Sequence, residues 1–165
     1  MEKFKKILKE YLPYVVIIIL VLIIKYNIVA PIRVNGRSMN NTLKDGDIMI
    51  LDIIGYKTSK LKRFEIIVID TKKDYIIKRV IGLPGEEVEY KDNKLYIDGK
   101  LVKDKYGKGN TNDFKVVVPK DSYFVLGDNR EDSLDSRYYG AFNKKKILGK
   151  TKFTLFPFNR FGNKK

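Results

Sequence analysis

The stretch Tyr75–Gly82 reads YIIKRVIG and decides the fold that the sequence predicts. It is rich in β-branched residues and ends at the turn signal Leu83-Pro84-Gly85, which is typical of a β-strand. Helical periodicity of useful length is absent after residue 31. We therefore predict an all-β domain, a bent and partly closed antiparallel barrel or sandwich. Similar apolar runs recur along the chain: IRV (32–34), IMILDII (48–54), FEIIVID (64–70), EVEYK (87–91), KLYID (94–98), FKVVV (114–118), SYFVLG (122–127) and KTKFTLF (150–156).

Lys78 lies inside the apolar stretch 75–82. Side chains of a strand alternate between faces, so Ile76 and Val80 share the face of Lys78. Aliphatic neighbours that exclude water disfavour an ammonium, and a lysine that is neutral near the working pH can act as a base. A lysine that protects an edge strand from aggregation would show the same pattern. The strand pattern alone leaves both interpretations open.

The composition excludes several kinds of site. Among 165 residues there is no histidine and no cysteine, so a Ser-His-Asp triad, a disulfide and a thiolate metal site are all excluded. We expect neither a metal nor a cofactor. The formal net charge of +14 comes mostly from scattered lysines, which suits attraction to anionic lipid. Nucleic acid is not an expected partner, because aromatic-interleaved arginines and a recognition helix are lacking.

An apolar segment near the amino terminus predicts a membrane anchor. The residues after Tyr11 read LPYVVIIILVLIIKYNIVA, and no polar face appears between Val15 and Ile24. A spanning helix needs about 20 residues, which 11–30 supplies if Lys25 and Asn27 lie near the far interface. The small residues of a signal-peptide cleavage site are lacking.

The chain is therefore divided into three parts. We expect a cytoplasmic basic tail at 1–10, a single transmembrane anchor at 11–30 and an extracytoplasmic β-rich domain at 31–165. Lysines before the helix favour the cytoplasmic amino terminus. A small loop or hairpin insertion is expected near 87–115. The predicted location is the cell membrane, with one pass.

A second stretch of interest is GRSMNNTL at 36–43. Serine in a loop rich in glycine and asparagine is commonplace, and a turn or a cap is its ordinary role. Gly36 would let a substrate approach the backbone closely. Met39 would either form an apolar pocket wall or simply pack. These residues alone do not decide whether Ser38 is a nucleophile.

The third stretch, GDNREDSLDSR at 127–137, is polar and follows an apolar strand. Such a run is usually a solvated loop. Its carboxylates at Asp128, Asp132 and Asp135 also suggest a cation site. The glycine and the glutamate of a calcium loop are missing from their places, so calcium binding is not expected.

Taken together, these stretches resemble the type I signal peptidases, membrane-anchored Ser-Lys proteases that remove signal peptides from exported preproteins. The resemblance covers the whole chain and is carried by GRSMNNTL (36–43), GDIM (46–49), YIIKRVIGLPGE (75–86) and GDNREDSLDSRYYG (127–140). It implies that Ser38 is the nucleophile and Lys78 the general base, with an oxyanion donor in the Ser38 amide. It also implies supporting roles: Ser133 orients the lysine amine, Asp135 pairs with Arg137, and Asp128 and Arg79 hold the loop and the strand.

Two positions depart from the family pattern. Gly36 stands where some members have a serine that donates a second hydrogen bond to the oxyanion. Asn41 stands where the family usually has proline, and asparagine is expected to loosen the loop after Ser38.

The resemblance also indicates a substrate. We expect an extended preprotein segment to pair with the backbone near 33–36 and 75–78, with small side chains next to the cut. Candidate substrate-binding residues are Asn35, Gly36, Met39, Ile76 and Ile77. The expected partners are preprotein signal peptides and the lipid bilayer. A non-catalytic, membrane-tethered assembly factor for pilus-type surface structures is the alternative.

Overall fold

The structure is a computed structural model that describes the backbone of residues 2–27 and 29–164 and the side chains of 9–22 and 29–164. Its first element is the helix α1, Glu2–Asn27. Side chains from Lys9 to Leu22 are exposed around the whole helix. In the described ranges, no helix satisfies both the length and the hydropathy required to cross a membrane. Lys25 and Asn27 were expected near the far membrane interface, but their side chains lie outside the described ranges.

The remainder of the chain is mostly β, as predicted, and every ladder between its strands is antiparallel. The larger sheet has the order β1-β2-β11-β3-β4-β9-β10, and β12 pairs with β11. Its strands are β1 (Val29–Arg33), β2 (Ile48–Asp52), β3 (Ile66–Asp70), β4 (Tyr75–Gly82), β9 (Ser122–Leu126), β10 (Phe142–Asn143), β11 (Ile147–Phe156) and β12 (Gly162–Asn163). The curled sheet forms a half-barrel.

A smaller sheet is formed by the chain between β4 and β9. Its order is β7-β6-β5-β8. The strands are β5 (Glu87–Lys91), β6 (Lys94–Ile97), β7 (Lys100–Val102) and β8 (Phe114–Val117). This sheet packs its own apolar cluster, which includes Val88, Leu95 and Phe124 from β9. The cluster therefore attaches the small sheet to the large one.

Short helices lie where the sequence showed none. The predicted strand 48–54 is two residues too long, because β2 ends at Asp52 and the helix α2, Ile53–Thr58, follows. The Asp52 side chain caps α2 by accepting a hydrogen bond from the Gly55 amide at 2.7 Å. A further short helix, α3, spans Ser136–Tyr139, and Asp135 caps it. Six- and four-residue helices are too short for a periodicity to reveal them.

The start of β1 corrects the predicted boundary of the anchor. Residues 29 and 30 were expected in the helix, yet they pair with Asp52 and Leu51 of β2. Pro31 cannot continue a helix, because its nitrogen carries no hydrogen and its ring clashes with the preceding turn. The helix α1 accordingly ends at Asn27.

Candidate functional site

The loop that carries Ser38 connects β1 to β2. Gly36 has φ +85°, a conformation that side chains rarely adopt, and its amide donates a hydrogen bond to the Asp45 carboxylate at 2.8 Å. A turn follows, in which the Leu43 amide donates to the Met39 carbonyl at 2.7 Å. The Met39 side chain is buried in the core. This anchor fixes the position of Ser38, which is only half-buried.

Lys78 reaches Ser38 from the middle of β4. The Lys78 Nζ atom lies 2.5 Å from the Ser38 Oγ atom, although the two residues are 40 positions apart in the chain. In the sheet order β4 lies between β3 and β9, although its ladder to β9 begins only at Arg79, and Lys78 is 4% exposed. Lys78 is therefore not a solvated lysine of the kind that protects a sheet edge from aggregation.

The surroundings of Lys78 favour its neutral form. Burial lowers the pKa of the amine from 10.5 to about 8, partly opposed by the negative charge of Asp135 and assisted by the positive charge of Arg137. The apolar cluster on this face of β4 includes Ile67, Ile76 and Val80. A substantial fraction of Lys78 is thus unprotonated slightly above neutral pH.

Arg79, the next residue of β4, points to the other face. Its guanidinium donates to both carboxylate oxygens of Asp128, at 2.8 and 2.6 Å, and both side chains are almost fully buried. The Thr42 hydroxyl donates to the same carboxylate at 2.5 Å and accepts from Arg79 at 3.0 Å. This network fastens the Ser38 loop and the loop after β9 to β4.

The second predicted ion pair lies beside Lys78. The Arg137 guanidinium donates to Asp135 at 2.8 Å, and the Gly127 amide donates to the same carboxylate at 3.0 Å. Burial raises the pKa of Asp135, but the hydrogen bonds from Arg137 and from the Gly127 amide outweigh it and leave this pKa lowered. Asp135 therefore carries a negative charge that balances the positive charge of Arg137.

Ser133 is in place, but the bond to Lys78 that the resemblance implies is not formed. The Ser133 hydroxyl is buried and has no hydrogen-bond partner among the described side chains and backbone. A methyl group added to Gly127 would lie 2.3 Å from its oxygen. The hydroxyl is thus enclosed beside the loop after β9.

A cavity of about 650 Å³ opens beside Ser38 and Lys78. Three of the predicted substrate-binding residues, Asn35, Gly36 and Ile76, line it. Met39 and Ile77 do not, because both belong to the core cluster on the other side of the sheet. Leu134, Ala141 and Phe142 complete its apolar wall.

Sequence reasoning missed the residues that connect the small sheet to the loop after β9. Arg130 is buried and donates to the Gly127 carbonyl at 2.9 Å, to Asp104 at 2.5 Å and to the Tyr90 hydroxyl. A polar run such as 127–137 gives no signal that one arginine turns inward. Thr42 was also missed, although it follows Ser38 in the same loop.

Asn41 occupies a defined place in this arrangement. Its side-chain amide donates to the Asp128 carbonyl at 2.8 Å. The Asn129 amide donates to the Ser38 carbonyl at 2.9 Å. The loop that was expected to be loosened by Asn41 is therefore held to the loop after β9 by hydrogen bonds at Ser38, Asn41 and Thr42. The effect of Asn41 on efficiency stays a prediction.

Comparisons with known proteins agree with one another. Residues 7–156 match the family model described as signal peptidase, peptidase S26. The chain is 39% identical to signal peptidase IB of Staphylococcus aureus (strain COL), with 95% of this chain and 93% of that protein aligned. It is 40% identical to signal peptidase I of Bacillus amyloliquefaciens, over 88% and 85% of the two chains.

A solved structure is similar as well. It is the crystal structure of a signal peptidase I from Enterococcus faecalis V583, with 38% sequence identity and a TM-score of 0.51. The match covers 56% of this chain and 97% of that chain.

Proposed function

Because the chain belongs to the signal peptidases of peptidase family S26, we propose that it cleaves amino-terminal signal peptides from exported preproteins with Ser38 as nucleophile and Lys78 as general base. The membership supports signal-peptide cleavage by a serine endopeptidase. The observation that carries the residue assignment is the 2.5 Å contact between Ser38 Oγ and the Nζ atom of Lys78, a lysine that is 4% exposed. The chain has no histidine, which is the usual general base for a serine nucleophile.

The first half of the reaction forms an acyl-enzyme. As a neutral amine, Lys78 accepts the Ser38 hydroxyl proton while Oγ bonds to the scissile carbonyl carbon. The resulting ammonium then gives a proton to the leaving amine as the peptide C–N bond breaks. Burial lowers the pKa of Lys78, and this suits both steps. The amine has to be neutral when it accepts the Ser38 proton, and it is charged only until it gives a proton to the leaving amine.

In the second half of the reaction, water releases the cleaved signal peptide from Ser38. Neutral Lys78 takes a proton from water, the hydroxide oxygen bonds to the ester carbon, and Ser38 leaves with the proton returned from the ammonium. Ser133 is proposed to steady the amine during these transfers, since its buried hydroxyl forms no hydrogen bond of good geometry with the described residues. Asp135 lies near enough for the Ser133 hydroxyl to help lower the pKa of that carboxylate. Asp135, Arg137, Asp128 and Arg79 are proposed to position the loop and the strand.

The developing oxyanion needs preorganised donors. The Ser38 amide is a candidate because it donates no hydrogen bond to the described part of the chain. Gly36 carries no side-chain donor, so the oxyanion would depend on backbone groups.

An extended substrate fits between two strand edges that the sheet leaves open. β1 is at the end of the sheet order and pairs on one side with β2. β9 pairs with β4 from Arg79 onward, so the outer edge of 75–78 has no strand partner among the described residues. Backbone amides and carbonyls on such edges can accept an added strand. Adjoining cavities of about 1060 and 650 Å³ lie along these edges and share Asn35, Lys73 and Asp74.

We further propose that residues 11–30 attach the protein to the membrane, with the amino terminus in the cytoplasm and the protease domain outside. The described helix positions from Tyr11 to Leu22 expose large apolar side chains around the full circumference. Such a surface is stable only when covered by lipid or another apolar phase. Tethering would raise the local concentration of membrane-inserted signal peptides.

The test is processing of a preprotein by Ser38→Ala and Lys78→Ala variants of the full chain in detergent. Both should abolish cleavage, and Lys94→Ala, which removes an exposed lysine from a strand of the small sheet, should not. Full residual cleavage by either dyad variant would refute the assignment. A pilus-type assembly factor is not favoured, since the similar proteins are named signal peptidases.

A further inference from the structure

A third cavity lies apart from the two that adjoin Ser38 and the open strand edges. Its volume is about 550 Å³, and its lining shares no residue with the cavity at Ser38. Lys78 lines the Ser38 cavity, and its neighbour Arg79 lines this one. We call it the β3–β11 cavity, because Ile66 of β3 and residues 150–153 of β11 form its walls.

The cavity combines apolar walls with a basic rim. Ile50, Ile66 and Phe153 contribute apolar surface. The charged groups of the lining are six cations, namely Lys62, Arg63, Arg79, Lys150, Lys152 and Lys164, and two carboxylates, Asp52 and Glu65. This excess of positive charge favours an anionic ligand.

Three of the cations have no ion-pair partner within the described ranges. Arg63, Arg79 and Lys150 pair with Glu86, Asp128 and Glu65. Lys62, Lys152 and Lys164 form no such pair with the residues that are described. The rim therefore has positive charge available to a ligand.

Thr151 is a buried residue of the lining and is 3% exposed. Its hydroxyl oxygen has no hydrogen-bond partner in the described part of the chain and almost no accessible surface, so the hydroxyl is not a contact for a ligand in the cavity. The register of β11 against β2 shifts between Thr151 and Phe153, and four successive residues of this strand, 150–153, line the cavity. Bulges of this kind commonly redirect side chains at functional sites.

The position of the cavity indicates the kind of ligand. Val29 lines it and is two residues beyond Asn27, the last residue of α1. Two residues span at most about 7.6 Å, so the cavity lies next to the end of the apolar helix. Val29 pairs with Asp52, and Asp52 pairs with Lys150, which places the basic rim at the same edge of the sheet.

From these observations we infer that the β3–β11 cavity binds the anionic headgroup and adjoining acyl chain of a membrane phospholipid. Lys62, Lys152 and Lys164 would contact the phosphate, and Ile50 and Phe153 would pack against the lipid. The inference rests on the proposed membrane attachment and is independent of the Ser38–Lys78 assignment.

The test titrates short-chain phosphatidylglycerol into the full chain in nonionic detergent and follows binding by calorimetry. Short-chain phosphatidylcholine and inorganic phosphate serve as the neutral lipid and the free anion. Phosphatidylglycerol should bind at least about tenfold more tightly than either, because only it offers charge and apolar surface together. Equal binding of phosphatidylcholine, or competition by inorganic phosphate at the same concentration, would overturn the inference.

Variants separate the cavity from overall charge. The double variant Lys152→Glu with Lys164→Glu should weaken binding about tenfold or more. A matched control, Lys94→Glu with Lys100→Glu, makes the same charge change on the small sheet and should leave affinity within about twofold. Equal weakening by both double variants would show that only net charge matters and would also overturn the inference. Preprotein cleavage by the same preparations checks the proposed function separately, since none of these residues lies at the Ser38 cavity.

Discussion

Gly127 packs directly against the backbone carbonyl of Ser38. A methyl group on Gly127 would lie 2.5 Å from that oxygen and 2.3 Å from the Ser133 hydroxyl oxygen. The Asn129 amide donates to the same Ser38 carbonyl at 2.9 Å. The loop after β9 thus helps to fix the position of Ser38, the proposed nucleophile, relative to Lys78.

Gly127→Ala should therefore disable cleavage. The added methyl group must push back the Ser38 backbone, and a displacement of about 1 Å at a reacting group costs on the order of 100-fold in rate. The measurement is kcat/KM on a preprotein, with circular dichroism to verify the fold. Gly99→Ala is the control: it places alanine in a hairpin turn with open space, at φ +73°, a backbone cost that Gly127→Ala does not carry, and it should leave kcat/KM unchanged. Undiminished kcat/KM in Gly127→Ala would contradict the proposed contact.

The rate should depend on pH through Lys78. Its pKa is lowered to about 8, and only the neutral amine accepts the Ser38 proton. We expect kcat/KM to rise about tenfold per pH unit below this pKa and to level off above it, so that pH 6 gives about 1% of the plateau. A profile that stays flat between pH 6 and 9 would exclude the lysine base.

Burial of the Lys78 amine should also lower the free energy of unfolding at neutral pH. The folded-state pKa of Lys78 lies near 8, below the ordinary 10.5. The unfolded chain therefore binds more protons between these values, and stability rises with pH across this window. Below pH 8 the protonated amine is buried at the full cost, of order 3 kcal/mol.

Lys78→Met should remove that cost. At pH 7 we expect a free energy of unfolding higher by about 2 to 3 kcal/mol, and a difference that shrinks as pH rises toward 10.5. Urea unfolding of both proteins across this pH range measures it. If the methionine variant were less stable than the parent at pH 7, the buried-amine interpretation would be wrong.

Asp128→Ala should destabilise the domain strongly. The substitution leaves Arg79, which is 1% exposed, as a buried charge without its carboxylate partner. Loss of one member of such a pair costs about 3 to 5 kcal/mol. The control is Asp121→Ala, which removes an exposed ion pair with Lys144 and should change the Tm little. Similar Tm values for the two variants would show that the Arg79 pair is not structural.

Much of the fold could be predicted because strands of period two carry a strong local signal. The stretch 75–82 coincides with β4, and 87–91 coincides with β5. Elements without such a signal were missed, namely the three-residue strand β7, the two-residue strands β10 and β12 and the helices α2 and α3. Their stability comes from caps and from neighbouring chain segments, which a local pattern does not contain.

The candidate site shows the same division. Ser38 and Lys78 were identified by motif, and the structure brings them within hydrogen-bond distance. Met39 and Ile77 were predicted at the substrate but are buried in the core. Proximity in the chain to a reactive residue does not determine which face a side chain occupies, and the tertiary packing of the turn after Ser38 decides it.

The alternation of β4 has a further consequence for how the protein misfolds. Lys78 and Arg79 are adjacent, yet one faces Ser38 and the other faces Asp128. A slip of β4 by one position against β3 would exchange them and present a guanidinium to the serine. A guanidinium holds its proton at every physiological pH and cannot serve as a base. A misregistered molecule would therefore be an inert protein rather than an indiscriminate protease, so the strand makes hydrolysis conditional on correct assembly.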